Sequence, residues 1–276
     1  MTNSQLNFAN QDLRNRSFKG QNLNQANFSG ADLRGCDFSY ALLQGANFQG
    51  VRLGQSSRQL LMLIGVAAIV ALLTLNAFSQ MVFGALSKTP SAPDWSFVIA
   101  LCISLAISGT SSAARAILGK KSSIVGRIML IVSGAASGAL IGLFYGGSTT
   151  NNNPKMAIVG AVLGGLIIAI TLILQVGRRL MAVAVAVAGA FAGYGLAFLL
   201  GAMAIAHFSI QNLIWGMIWG TLSITYIALT MVSLNFTVRE IKAAGTSFRG
   251  ADLTNAKFDQ VILQNTDFRG TIGYIA

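Results

Sequence analysis

The sequence predicts an integral membrane protein: an α-helical bundle of six transmembrane helices joined to a short solenoid built from both ends of the chain. Three observations predict it. The 276 residues are 54% hydrophobic and only 10% charged, where an ordinary soluble domain carries about 25% charged residues. The apolar residues concentrate between 59 and 237, in six stretches near the roughly 20 residues that cross a bilayer as helix. The flanks, 1–58 and 245–276, are polar, rich in Asn, Gln, Gly and Arg, and repeat every five residues. The expected organisation is a repeat block at 1–55, a transmembrane domain at 56–244 and a second repeat block at 245–276.

The repeat is read by counting in fives. From Phe8 the positions are Phe8, Leu13, Phe18, Leu23, Phe28, Leu33, Phe38, Leu43, Phe48 and Leu53, a strict alternation of Phe and Leu. The C-terminal block continues it with Phe248, Leu253, Phe258, Leu263 and Phe268. Two residues before each centre the side chain is often small: Ala26, Ala31, Cys36, Ala41, Ala46, Ala251 and Ala256, beside Thr246, Val261 and Thr266. Asn or Asp often precedes the centre, as at Asp12, Asn22, Asn27, Asp32, Asp37 and Asn47, and glycine closes many units, as at Gly20, Gly30, Gly35, Gly45 and Gly50. A helix would need apolar residues at i, i+3, i+4 and i+7, and a strand would alternate in twos. A period of five fits a chain that turns a corner every five residues and points one large and one small side chain inward. Glycine serves corners that need positive φ, and Asn or Asp can hydrogen-bond the neighbouring backbone there.

Units such as ANFSG-ADLRG and GADLT-NAKFD resemble the pentapeptide-repeat family, whose motif is A(D/N)LXX. The resemblance covers roughly 80 of the 276 residues. It implies a right-handed, four-sided β-helix, with Leu or Phe stacked in the centre and small residues at the inner corners. Four units per coil would stack Phe8, Phe28 and Phe48 in one column and Leu13, Leu33 and Leu53 in another. Gln11, Arg16 and Gln21 depart from the pattern at the small inward position, so the first coil is expected to be loose or to form a polar cap. Short solenoids bury little on their own, and stacking neighbours supplies the core. The N-terminal series ends on Leu53 and the C-terminal series begins on Phe248, the phase at which Phe248 follows Leu53. We therefore expect the C-terminal block to stack on the N-terminal one, within one chain or by exchange between two.

The expected spans are about 60–85, 96–114, 127–146, 156–176, 180–206 and 212–237. The breaks between them hold Pro90, Pro93 and Asp94; Arg115 to Arg127; the run GGSTTNNNPK; Gly177-Arg178-Arg179; and His207 to Gln211. With 58 polar residues ahead of it, span one is expected to direct insertion itself, with no signal peptide. Orientation follows from charge. All cations but Lys88 and Lys155 fall on the side of the N-terminus, including the membrane-edge set Arg58, Arg115, Lys120, Lys121, Arg127, Arg178 and Arg179 and, after span six, Arg239 and Lys242. Six spans then place both termini, and both repeat blocks, in the cytoplasm, facing anionic headgroups that attract such residues. The membrane-bound members of the resembled family point to a cyanobacterial plasma or thylakoid membrane.

Glycines recur at four-residue spacing within the spans: Gly134, Gly138, Gly142 and Gly146; Gly160 and Gly164; Gly189 and Gly193; Gly216 and Gly220. Such spacing lets helix backbones approach closely in lipid, inside a compact bundle or in a homo-oligomer. A glycine-lined pore is the sharper alternative.

Reactive chemistry is sparse. Between Asp37 and Glu240 the only acid is Asp94, in a loop, which argues against an intramembrane proton or cation relay. A single His and two Cys make no typical zinc site, and no GxxxxGK(S/T) loop occurs. Cys36 is expected inside the solenoid and Cys102 within span two, both as small apolar fillers. His207 reads as a boundary residue, and Ser108, Thr110, Ser111 and Ser112 as helix-bonding hydroxyls. No enzyme, cofactor or metal is expected. The net charge of +11 is assigned to topology and lipid headgroups rather than nucleic acid, and residues 1–55 lack the acidic excess of a DNA mimic. The expected function is a membrane scaffold or assembly protein whose outward side chains, Arg14, Lys19, Asn24, Arg34, Gln44, Gln49, Arg249 and Lys257, meet a protein partner. The alternative is a transporter, channel or lipid- or glycolipid-handling protein regulated by the solenoid.

Overall fold

The computed structural model of the chain describes residues 6–88, 91, 95–118, 123–151, 153–174, 178–242, 245–263 and 265–273. Six helices follow in order: α1 (Ser57–Leu86), α2 (Trp95–Leu118), α3 (Ser123–Ser148), α4 (Pro154–Ile173), α5 (Arg178–Ser209) and α6 (Leu213–Lys242). All six are long and apolar enough to cross a membrane. The chain divides into two compact units, Met1–Ile64 with Arg239–Ala276, and Gly65–Val238.

In the first unit most pentapeptides end in the same corner. The carbonyl of the centre accepts from the N–H three residues on, as Leu13 does from Arg16 at 3.1 Å and Phe28 from Ala31 at 3.0 Å. The residue two after the centre then has positive φ. It is glycine at Gly20, Gly30, Gly35, Gly45 and Gly50, but Asn10, Asn15, Gln25 and Tyr40 take the same conformation. Positive φ at the third position of a four-residue turn is the type II signature. Corners this frequent leave room for one parallel bridge per side, and the bridges pair residues twenty apart: Asn7 with Asn27, Asp12 with Asp32, Ser17 with Asp37, Asn22 with Leu42. A coil therefore has four sides. Asp37 then bridges Ser247, Leu42 bridges Asp252, Asn47 bridges Lys257 and Arg52 bridges Ile262, so the C-terminal repeats form the next layer over residues 37–52.

The alternation of Phe and Leu sorts the interior into columns. Phe8, Phe28, Phe48 and Phe258 stack with near-parallel rings at 5.0, 5.1 and 4.9 Å. Phe18, Phe38, Phe248 and Phe268 form a second column at 4.9, 5.0 and 5.2 Å. The two columns meet edge to face, an arrangement the ring quadrupoles favour. Leu13, Leu23, Leu33, Leu43, Leu53 and Leu253 are buried between them, with Ala26, Ala31, Cys36, Ala41, Ala46 and Ala251 at the small inward positions. Leu263 departs from the expected core. It is 40% exposed, in the outermost of the described coils, where no described residue is stacked beyond it. Phe258 and Phe268 are half-buried for the same reason, and Phe8 is half-buried at the opposite end. Gln11, Arg16 and Gln21 are exposed in the first of the described coils, where long polar side chains at the inward position reach solvent.

The chain leaves and re-enters the solenoid at one corner. Thr246 takes the place of the usual alanine, and its hydroxyl donates to Leu33 O at 2.8 Å and accepts from Gly54 N at 3.0 Å. Its own N–H donates to Gly54 O at 3.0 Å. The preceding Gly245 has no room for a Cβ against the Asn265 carbonyl. Ser56 caps α1, accepting from Gln59 N at 3.2 Å while donating to Asn15 Oδ1 at 2.7 Å. Ser56 and Gln59 have the spacing of a capping box.

In the second unit α5 is the most enclosed helix and α4 the least. Its Ala- and Val-rich sequence, with Ala182, Val183, Val185, Ala186, Val187, Ala188, Ala190 and Ala192 all buried, suits a central position because small side chains let neighbours close in. Ala77, Phe78 and Val82 of α1 join Leu101 and Leu105 of α2, Leu140 of α3 and Leu196 and Leu199 of α5 in the apolar cluster. The glycines of α3 and α4 face one another. A Cβ at Gly138 would meet the Gly164 carbonyl at 2.5 Å, and one at Gly142 would run into that of Gly160. A Cβ at Gly134 would meet Leu172 at 2.6 Å, one at Gly189 would meet Ser112 at 2.6 Å and one at Gly193 would meet Thr230 at 2.8 Å. Gly216 and Gly220 differ from the expected backbone approach. Gly216 accommodates the Phe208 ring, and Gly220 has only the Ala204 Cβ nearby, at 3.8 Å. Spacing places two glycines on one face without fixing what that face meets.

The helices run past most expected ends, since polar residues such as Ser57 and Arg239 continue the backbone ladder beyond the apolar stretch. Helix α4 is shorter than its expected span and stops at Ile173; Gln175 to Gly177 lie outside the described residues. The break between α5 and α6 is a Schellman motif. Gln211 has φ 59°, its N–H donates to Phe208 O at 3.0 Å, and Asn212 N–H donates to His207 O at 2.9 Å. Asn153 and Pro154 start α4, with Asn153 Oδ1 accepting from Lys155 N at 3.0 Å.

Candidate docking surface

Each pentapeptide points two side chains outward, one before and one after its centre. The first is often Asn or Asp because its side-chain oxygen accepts from the N–H two residues on. Asn7, Asp12, Asn22, Asn27, Asp32, Asp37, Asn47, Asp252 and Asp267 all do so, at 3.0–3.3 Å. These local bonds hold the outer side chains at defined angles on a stiff coil.

Three units add a paired arginine in the following outward position. Arg14 donates to Asp12 through Nε at 2.8 Å and Nη2 at 2.5 Å, Arg34 to Asp32 at 2.9 and 2.6 Å, and Arg269 to Asp267 at 2.8 and 2.7 Å. The Arg14 hydrogen bond holds the Asp12 carboxyl down at about 2, and Arg34 lowers Asp32 in the same way. At Asp267 burial pushes the carboxyl up, but hydrogen bonds from Arg269 and the charges of Arg269 and Arg249 bring it below its ordinary value. Arg14 also approaches Asp32 of the next coil at 3.9 Å. These pairs keep each acid charged in neutral solution and tie each arginine to its own unit.

Four units per turn gather the outer side chains onto sides. One side carries Asp12, Arg14, Asp32, Arg34 and Arg52. The next carries Lys19, Asp37, Ser39, Ser247, Arg249, Asp267 and Arg269. A third carries Asn22, Asn24, Leu42, Gln44, Asp252 and Thr254. Cross-coil bonds stitch the two ends of the chain on these sides: Ser39 Oγ to Ser247 Oγ at 3.0 Å, and Gln44 Nε2 donating to Asp252 Oδ2 at 2.7 Å. Asn24 Oδ1 accepts from Gln44 N at 2.9 Å. Thr254 and then Gln44 lower the Asp252 carboxyl. Gln49 and Lys257 are exposed on the remaining side. An open cleft of about 630 Å³ lies among Arg239, Glu240, Asn265, Thr266, Asp267, Phe268 and Arg269.

The sequence reading missed Tyr40, whose ring covers Gly250 while its own backbone takes φ 60°. A bulky residue at a corner otherwise given to glycine or an amide was the available signal. Cys36 donates to Leu13 O at 3.0 Å inside the solenoid, and burial pushes its thiol up to about 12. Of the membrane-edge cations, Arg58 is exposed, Arg127 donates to Ile173 O at 3.1 Å and Arg115 lies 5.1 Å from the Phe236 ring. The Arg127 contact joins the start of α3 to the end of α4. Lys120, Lys121 and the side chains of Arg178 and Arg179 lie outside the described residues.

No curated protein and no solved structure matches the chain. The family model for pentapeptide repeats matches residues 4–39, 12–50 and 239–272, with eight copies. The described residues of these segments outside α6 coil together, and repeats of this kind point to a protein-interaction role. The two terminal segments of this chain belong to the pentapeptide-repeat family.

Proposed function

We propose that the chain is a non-enzymatic, multi-pass membrane scaffold, whose helices hold it in lipid and whose solenoid presents a rigid surface to a protein partner. The observation that carries the reading is the outer surface of the coils. Nine of its Asn and Asp side chains are fixed by turn bonds and three arginines by pairing with Asp, on a backbone that every layer bridges to the next. A surface held this way loses little side-chain freedom on binding, which favours docking.

The topology we propose has both termini cytoplasmic. Arg58, Arg115, Arg127, Arg178, Arg179 and Arg239 fall at one set of helix ends, with Lys88 and Lys155 at the other, and cytoplasmic loops carry the excess of Lys and Arg. Transport through a glycine-lined path is the weaker reading, because Gly138 and Gly142 of α3 are occupied in packing against Gly164 and Gly160 of α4.

The test is extraction of the tagged protein from its native membrane in mild detergent, with the mass and composition of the complex measured. A stoichiometric partner that is lost when Arg14, Arg34, Arg249 and Arg269 are replaced by Ser supports the scaffold. A chain recovered without any partner, together with solute or lipid flux in proteoliposomes, refutes it.

A further inference from the structure

Helix α1 carries carboxamides where the membrane reading puts hydrocarbon. Its apolar stretch runs from Leu60 to Leu86, centred near Leu73. Asn76 and Gln80 lie about 4.5 and about 10 Å past that centre at 1.5 Å per residue, inside the roughly 15 Å half-thickness of a bilayer core. Both side chains are exposed, among Ile69, Leu72 and Phe83 at 59%, 68% and 62% exposure.

Their bonding is incomplete. Gln80 Nε2 donates to Asn76 Oδ1 at 2.9 Å, and Asn76 Nδ2 donates to Tyr145 Oη at 3.3 Å. Tyr145 Oη is itself a donor, to Leu73 O at 3.3 Å. Each amide keeps a further N–H, and Gln80 Oε1 accepts from no group among the described residues. Polar groups left this way in hydrocarbon are costly. One turn beyond Gln80 on the same face is Gly84, where an added Cβ would meet nothing within 4 Å. The face Asn76–Gln80–Gly84 therefore has donors, acceptors and a place for close approach, and among the described residues its one hydrogen-bond partner on another helix is Tyr145.

We propose, resting on the membrane reading above, that α1 is the contact helix of a homodimer, paired through Asn76, Gln80 and Gly84 with the same face of a second copy. The occupant follows from the chemistry. A carboxamide donates and accepts at once, so it complements its own copy. Two copies inserted in the same sense put Asn76 opposite Asn76 at equal depth, as an isologous contact requires. The face bears no charge to repel its twin, and glycine one turn on lets the backbones close.

The experiment uses the full chain in liposomes, with two fluorophore-labelled pools and energy transfer followed as lipid dilutes the protein. Wild type is expected to associate, with a dissociation midpoint that Gln80→Leu and the double variant Asn76→Leu, Gln80→Leu move about tenfold or more towards higher protein density. Gln80→Leu leaves the Asn76–Tyr145 bond in place and so guards against a folding defect. Asn76→Gln keeps a carboxamide and is expected to associate as wild type does. Wild type that stays monomeric at every density, or leucine variants that associate as tightly, overturn the proposal, whether lipid or another protein's helix then covers the face. An alkaline wash of the same liposomes separates the two failures. Protein stripped from lipid refutes the membrane reading as well, whereas protein retained but monomeric refutes the dimer alone.

Discussion

The hydroxyl of Thr246 donates to the carbonyl of Leu33 at 2.8 Å, across 213 residues of sequence. The same oxygen accepts from Gly54 N, so one buried side chain joins the corner where the chain departs to the corner where it returns. Thr246→Val keeps the shape and removes both bonds, leaving the buried Gly54 N–H unpaired while Leu33 O keeps only its bond from Cys36 N. The expected cost is about 1–3 kcal/mol. Hydrogen exchange read by mass spectrometry checks it: protection at Gly35 and Gly54 falls, while peptides from α5 are unchanged.

Position in the stack sets the cost of core truncation. Phe38 is fully buried, between Phe18 and Phe248, and Phe38→Ala is expected to cost about 3–5 kcal/mol. Leu263, 40% exposed, is expected to lose under about 1 kcal/mol as alanine. Protease susceptibility of the repeat segments in the detergent-solubilised protein ranks the two variants. Equal effects would refute the layered core.

Glycines of identical spacing are expected to answer differently to the same change. Gly142→Ala drives a methyl into the Gly160 carbonyl and forces α3 from α4, at a cost of about 1–3 kcal/mol. Gly220→Ala places its methyl in ordinary contact with Ala204 and is expected to leave thermal unfolding unchanged or slightly raised. Melting curves of both variants in one detergent decide this.

The acidic limb of stability follows from Asp12, Asp32 and Asp267, all held below their ordinary carboxyl values in the folded chain. A lowered folded value means that the stabilisation is present above the ordinary carboxyl range, near 4, and is lost as pH falls through the folded value. For Asp12 that value is about 2. Hydrogen-exchange protection of the repeats is therefore expected to hold at pH 5 and to decline between about pH 4 and 2. Replacing Arg14 and Arg34 by Gln is expected to reduce that acid-dependent increment by the share of Asp12 and Asp32, leaving that of Asp267. An unchanged acid limb in this variant would show that these two pairs do not contribute to it.

Cys36 reports the integrity of the coils. Its thiol is buried and pushed up to about 12, and the thiolate is the reactive form. Maleimide at pH 7 is expected to leave it unlabelled in the folded protein and to modify it fully in denaturant. Phe38→Ala is expected to raise the labelling rate at least tenfold.

The pentapeptide register and the six apolar stretches were legible in the sequence because each rests on a period that one side chain type satisfies repeatedly. Phe and Leu every fifth residue allow few backbones, and 20 apolar residues in a row allow fewer. What stayed hidden depends on neighbours that spacing does not encode. The exposure of Leu263 is set by its place in the outermost described coil, not by its position in the repeat. Gly216 and Gly142 share a pattern, yet one meets a phenyl ring and the other a backbone carbonyl. Positive φ at Gln25 and Tyr40 is imposed by the coil on residues that would not choose it alone. On the outer surface, the Asp–Arg pairs follow from a two-residue separation that only the turn geometry makes close.

The splice between Gly54 and Thr246 also has a consequence in time. The N-terminal repeats are synthesised first, and Phe38 and Phe48 then present an open aromatic end. The layer that covers them, Phe248 and Phe258, is synthesised only after all six helices. Phe248 cannot reach its place on Phe38 unless the ends of a 192-residue excursion are brought back together, which carries a closure entropy that folding of the intervening helices reduces. Closing the last coils thus comes late: a chain whose ends have not yet been brought together keeps the rings of Phe38 and Phe48 uncovered at the open end of its stack.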